Sequence, residues 1–248
     1  MCIVLWIVAV VALTTSNFAV GADFSGGPGP IVISGPIERG DYTRFTKYLL
    51  RDARHIYMLR SGVILNSPGG DVDEALKLAS LFDKSFITTF VRKGDVCASA
   101  CFLLWAGGAV RHNLGLLGVH RLSLDSNSTD IRRTAEKTKP ASQVVETFLV
   151  NVGIPRKIID KMQETSPSTI FMMDINWMAN AEIDATYNPV FLDVAEKACG
   201  PDPTYQAVRR RIRLTFEEAR MFDECIADVQ TQNQRLHQEE ILSVLLLH

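Results

Sequence analysis

Ile64-Leu65-Asn66-Ser67-Pro68-Gly69-Gly70-Asp71 is the stretch on which the fold turns. An apolar run breaks into a Pro-Gly-Gly turn and then changes period. From Asp71 onward Val72, Ala75, Leu76, Ala79 and Phe82 fall on one helical face. Asp71 stands at the N-cap, with Glu74 at the capping-box position. Downstream, Phe86 to Val91 is β-branched and aromatic, Gly94-Asp95 is a turn, and Ser99 to Ala106 is an apolar helix ended by Gly107-Gly108. Leu114 to His120 reads as the next strand. Upstream, Ile31 to Gly35 is a short strand. A helix begins at Gly40 with Asp41 as its cap and runs to Leu50, and Gly62 to Leu65 is a strand core. Strand and helix alternate from Gly62 to His120, which predicts βαβ units and parallel pairing.

After His120 the pattern turns helical. Ala141 to Val152 is one helix, stopped by Gly153; Pro155 opens another through Met162; Asp174 to Ala181 is a third. From Asp202 the chain reads as almost wholly helical. The run Arg209-Arg210-Arg211-Ile212-Arg213 is answered by Glu217 and Glu218 and reads as a solvated face. The apolar tail Ile241 to Leu247 is suited to dock on the domain or on a partner chain. With 248 residues, 47% hydrophobic and 22% charged, the chain has the size of one globular domain plus an extension. A net charge of -2 gives no reason to expect nucleic acid as a partner.

Cys2 to Leu13 is an unbroken apolar run, too short for the ~20 residues of a comfortable membrane span. Thr14-Thr15-Ser16-Asn17 follow, then Val20-Gly21-Ala22, small residues suited to cleavage after Ala22. The expected organisation is a signal peptide over 1–22, a Gly/Pro-rich lead-in loop over 23–30, an α/β domain over 31–186 and a helical C-terminal extension over 187–248. No Lys or Arg precedes the apolar run, so a retained membrane anchor is the second reading of the N-terminus. Export to the periplasm or beyond leaves Cys97, Cys101, Cys199 and Cys225, an even number in an oxidising compartment. The expected bridges are Cys97–Cys101, across Ser99, and Cys199–Cys225, across the extension; buried free thiols are the other reading of Cys97 and Cys101. The five His are scattered without ligand spacing to the Cys pairs, so no metal or other cofactor is expected.

Three pieces of this chain carry chemistry. The Pro68-Gly69-Gly70 turn frees backbone N–H groups from Cβ shielding ahead of a helix N-terminus, the makings of an anion cradle; read alone it is also an ordinary strand-to-helix turn. Ser99 stands between Ala98 and Ala100 at a helix start, which suits an N-cap and equally a nucleophile with room for a carbonyl above it. His120 closes the strand that leaves the Ser99 helix, so one helix out and one strand back bring it near Ser99; a half-exposed strand His is the other reading. Gly70 and Ala100 are then placed to supply two N–H donors to an oxyanion.

The order Ser-Pro-Gly-Gly, small-Ser-small before a Phe-Leu-Leu helix, then a strand-end Gly-Val-His-Arg resembles the Clp protease proteolytic subunit and its relatives in the ClpP/crotonase superfamily. It is also similar to exported bacterial members with a like Ser-Ala-Cys and Gly-x-His-Arg pattern. The match covers Ile31 to Asp184; the chain from Tyr187 lies outside it. The resemblance implies an α/β ClpP/crotonase-like ββα superhelix, with Ser99 as nucleophile, His120 as base, and Gly70 and Ala100 as the oxyanion hole. Asn66, Ser67, Pro68, Gly69 and Gly70 border the substrate strand. It also implies a peptide or protein substrate and assembly of copies into a homo-oligomer. The family places an acid some way after the His, ahead of a helix like Asp174 to Asp184. The window here is poor in acids: Glu164 is nearest, flanked by Asp160 and Asp174, with a hydroxyl, a backbone carbonyl or no group at all as the other readings. The expected function is an exported serine hydrolase, a peptidase. A non-catalytic relative that keeps the groove for binding or assembly is the alternative, and an acyl-CoA enzyme is disfavoured by export.

Overall fold

The computed structural model describes residues 21–26, 29–122, 131–210 and 212–236. The apolar run from Cys2 and the tail from Ile241, expected to be a leader and a docking segment, lie outside them. Among the described residues no helix is long and apolar enough to cross a membrane.

Two sheets organise the chain. In the larger, β2 (Ile31–Ser34), β3 (Val63–Asn66), β4 (Thr88–Val91) and β6 (Val110–Asn113) run parallel, and β1 (Asp23–Gly26) pairs antiparallel with β2 at one margin. The smaller sheet joins β5 (Val96–Ala98) in parallel to β7 (Leu116–Val119), with β8 (Phe171–Met173) antiparallel on β7. Successive turns of the chain repeat one unit. β4 in the large sheet is followed by β5 in the small sheet and then by helix α4 (Ala100–Ala106); β6 is followed by β7 and then by α5 (Ile131–Asn151). This strand–strand–helix turn is the ββα superhelix, built here with the parallel pairing that the sequence predicts.

Hydrophobic burial sets the layers. β2 alternates buried Ile31 and Ile33 with half-buried Val32 and Ser34, so one face meets the core. Helix α1 (Asp41–Arg51) contributes Phe45 and Leu49, and α3 (Val72–Lys84) contributes Ala75, Leu78, Ala79 and Phe82. All seven residues of α4 are buried, so that helix is apolar on every side and runs through the middle of the molecule. A second apolar cluster, Ala109, Val110, Phe191, Ala195, Phe222 and Ile226, fixes α8 (Pro189–Cys199) and α10 (Phe216–Leu236) to the β6 side of the large sheet. Between them lies α9 (Pro203–Arg210); α2 (Ala53–Arg60), α6 (Arg156–Glu164) and α7 (Ile175–Asn180) complete the helices named here.

Several local expectations are corrected. Asp23 to Gly26 is a strand, not part of a loop, because its backbone pairs along β2. Asp41 is the first helical residue and not the cap; Gly40 holds that place in the left-handed region, and the Asp41 carboxylate is buried elsewhere. Phe86 is left-handed at φ 48°, so β4 starts only at Thr88. The single strand expected over Leu114 to His120 is the second of two, since β6 precedes it.

Candidate active site

Ser99 sits where β5 turns into α4. Its backbone holds φ 55° and ψ -125°, a region that a side-chain-bearing residue rarely adopts. Four local contacts fix the turn. Ser99 N–H donates to Gly118 O at 2.8 Å, Phe102 N–H donates to Ser99 O at 3.0 Å, Ala98 N–H donates to Ser67 O at 3.0 Å, and Cys97 is disulfide-bonded to Cys101. Ser99 thus stands at a sharp strand-to-helix bend, between β5 and α4.

His120 arrives through strand register. Ala98 of β5 stands beside Gly118 of β7, so His120 leaves β7 just past Ser99. Its Nε2 lies 2.7 Å from Ser99 Oγ, and its Nδ1 lies 2.9 Å from Arg121 O. A carbonyl oxygen has no proton to offer, so Nδ1 carries the hydrogen and Nε2 keeps its lone pair toward the hydroxyl. That is the tautomer a general base needs. Arg121 is held in turn, its N–H donating to Thr165 O at 2.9 Å.

Glu164 is not joined to this pair. Its carboxylate accepts from Lys161 Nζ at 2.9 Å, and its side chain is 66% exposed. Asp160 pairs with Arg156, and Asp174 caps α7 by accepting from Trp177 N–H. Among the described residues, the group behind the imidazole is therefore the Arg121 carbonyl. A backbone carbonyl in this place has no signature in the sequence, since no residue type signals one.

The Pro68-Gly69-Gly70 turn packs on one side against Ile37 and on the other against the Ser99 turn. Ile37 pairs with both neighbours of Gly70: its N–H donates to Gly69 O at 2.8 Å and its carbonyl accepts from Asp71 N–H at 2.7 Å. In such a parallel bridge the N–H of Gly70 itself points to the other side, and Gly70 is exposed. Ala100 is the first residue of α4, so its N–H has no helical acceptor. Gly69 is packed on the Ser99 turn: a Cβ there would lie 2.7 Å from Ser99 Cβ and 2.8 Å from Ala100 N. Asn66 and Ser67, expected along the substrate strand, tie β3 to β5: Asn66 Oδ1 accepts from Val96 N–H at 3.2 Å, and Ser67 N–H donates to Val96 O at 2.8 Å. Ser67 is buried and Pro68 exposed.

A cleft opens beside the pair. Ser99, Ala100, His120 and Arg121 border it, and Val72, Phe102, Leu103, Val119, Leu122, Val145 and Met162 make it apolar, with Ser142 and Gln163 adding polar groups. Part of this lining comes from α5 and α6, which no motif in the sequence marks.

Solved structures with similar folds include two mutants of the 1510-N membrane-bound stomatin-specific protease. One has 16% identity and a TM-score of 0.46, covering 66% of this chain and 82% of that chain. The other, in complex with a substrate peptide, also has 16% identity and a TM-score of 0.46, covering 67% and 79%. A ClpP1 mutant from Listeria monocytogenes has 17% identity and a TM-score of 0.40, covering 60% and 84%. No known family model and no curated protein matches the chain. The fold rests on the chain's own ββα turns, and it is the fold that the ClpP/crotonase resemblance implies.

Proposed function

We propose that the protein is an exported serine hydrolase that cleaves peptide bonds. The observation that carries the reading is the 2.7 Å approach of His120 Nε2 to Ser99 Oγ, with Nδ1 engaged by a carbonyl, at the border of an apolar cleft. In the mechanism, Ser99 Oγ attacks the scissile carbonyl carbon while His120 Nε2 takes the hydroxyl proton. The oxygen of the tetrahedral intermediate rests on the Gly70 and Ala100 N–H groups. His120 then gives its proton to the leaving amine. Water, activated by the same nitrogen, releases the acyl group and restores Ser99. The Arg121 carbonyl sets the tautomer but brings no full negative charge to the imidazolium. The proposed site works as a dyad, slower than a triad with a carboxylate.

Export is proposed on the apolar Cys2–Leu13 run together with two disulfides, which an oxidising compartment sustains. The neutral partner behind His120 also fits a second reading, a groove that binds peptide without cutting it. A fluorophosphonate probe decides between them. The purified protein should be labelled, and Ser99→Ala should abolish labelling while its thermal melt stays close to wild type. Labelling that survives the substitution removes Ser99 as nucleophile, and an unlabelled wild type favours binding alone.

A further inference from the structure

The first strand of the fold hangs from a buried carboxylate. Asp41 has no solvent exposure. Its Oδ2 accepts from the Ala22 N–H and from the Glu38 N–H, each at 2.8 Å, and its Oδ1 accepts from Arg44 Nη1. Arg44 also donates to the Ala22 carbonyl at 2.9 Å. Ala22 is itself fully buried and belongs to the main core. One residue earlier there is no room for a side chain: a Cβ at Gly21 would lie 2.4 Å from Asp41 Oδ1 and 2.5 Å from Arg44 Nη1.

These contacts bear on where the leader ends. A cut after Ala22 would discard a fully buried residue together with its N–H to Asp41 and its carbonyl to Arg44. It would also leave a buried carboxylate short of one donor, which is costly. Ala19 and Gly21 stand three residues and one residue ahead of the Gly21–Ala22 bond, and both are small, as a leader peptidase requires. We propose that the leader is cut between Gly21 and Ala22, and that the Ala22 α-ammonium so released seats on the buried Asp41 carboxylate as part of the mature fold.

The cut is a hydrolysis carried out by a leader peptidase on the unfolded, emerging chain. Water adds across the Gly21–Ala22 amide, Gly21 leaves as a carboxylate, and Ala22 keeps the amine, which takes up a proton at neutral pH. The nitrogen that becomes charged is the one already 2.8 Å from Asp41 Oδ2. No rearrangement is needed, and a neutral hydrogen bond becomes a charge-assisted one. Arg44, 44% exposed, then shares the buried carboxylate with a cation supplied by processing. Asp41, the residue that failed as a helix cap, has in this reading the role of receiving the new terminus.

This inference rests on the export reading, and one measurement separates the two. The full-length protein is produced in a bacterial host, recovered from the periplasm, and its first peptide is identified by mass spectrometry. Ala22 as the first residue is the expected result. A terminus at Asp23, or at any other position created by export, overturns the cut site and leaves export standing. Retained Met1 in a membrane fraction overturns both. A second measurement addresses the seat itself. On the mature protein an amine-acylating reagent should modify Ala22 about tenfold more slowly in the folded than in the unfolded state, since one unit of pKa rise leaves a tenth of the free amine. Equal rates would overturn the pairing with Asp41.

Discussion

At Ser99 the backbone conformation and the chemistry are the same feature. A φ of 55° with ψ of -125° suits glycine, and the chain holds a serine there by pairing, by a disulfide and by the close packing of Gly69. Removing the side chain altogether should therefore relieve strain. Ser99→Gly is expected to be more stable than Ser99→Ala by about 1 kcal/mol in denaturant unfolding, with both unlabelled by the probe. Equal stabilities would mean that the turn is not strained. The Ser99–His120 pair was legible because a helix and a strand of ordinary length return the chain to its start. Glu164 is the nearest carboxylate in a window poor in acids. The fold uses the carbonyl of its neighbour Thr165 to hold Arg121 and turns the Glu164 side chain to solvent. Glu164→Gln is expected to change turnover by less than roughly twofold, the size of an exposed ion pair's influence. A loss of orders of magnitude would restore Glu164 as the orienting acid.

At the scale of elements, the caps separate what the sequence could give from what it could not. Asp71 and Asp174 accept from the N–H three residues on, as their places before helical runs imply. Glu74 completes only half of its capping box, because its carboxylate reaches the Tyr42 N–H and Lys77 instead. The strands absent from the sequence reading, β1, β5, β6 and β8, are three or four residues each, too short to show a period. They exist because the two sheets gather them, and this is tertiary information. The turn from β3 into α3 carries a prediction of its own. Gly69 has φ of 96° and faces Ala98 O at 2.5 Å from where a Cβ would stand. Gly69→Ala should cost about 1–3 kcal/mol in stability and slow probe labelling, because the displaced contact is the nucleophile turn itself. Pro68→Ala beside it, at an exposed position, is the control that should do neither.

At the scale of the whole molecule, the C-terminal extension is held by polar groups as well as apolar ones. Asn188 caps α8 through its Oδ1 and donates from Nδ2 to Asp83 Oδ1 at 2.7 Å, at the far end of α3. Burial raises the Asp83 carboxyl above its ordinary 3.8, with the Asn188 bond opposing. The folded state thus holds its proton to higher pH than the unfolded chain. The contribution of Asp83 to stability falls as pH rises through the window above 3.8. Asp83→Asn keeps an acceptor for Asn188 and removes the titration. Its melting temperature relative to wild type should therefore climb from about pH 4 to about pH 7; a flat difference would show that Asp83 titrates normally. Arg111 ties the same region together from beneath. Its guanidinium donates to Gly108 O, Ala185 O and Val152 O, and burial lowers its pKa to about 10. The Asn188–Asp83 bond is not readable from a helical, charge-studded tail, because the partners lie 105 residues apart.

The same extension also decides how the large sheet ends. Beyond β6 the backbone of 186–188 comes alongside: Arg111 N–H donates to Thr186 O at 2.8 Å, and Asn188 N–H donates to Ala109 O at 2.9 Å. Gln230 and Gln234 of α10 cover the nearby Phe86 carbonyl. A margin that would otherwise offer an open row of donors and acceptors to any passing strand is stitched shut. A fragment ending before residue 186 would carry that row bare, together with the greasy seat of Phe191. In such a fragment the outcome to guard against is polymerisation rather than unfolding, with copies zipping onto one another along a seam that the intact chain never presents.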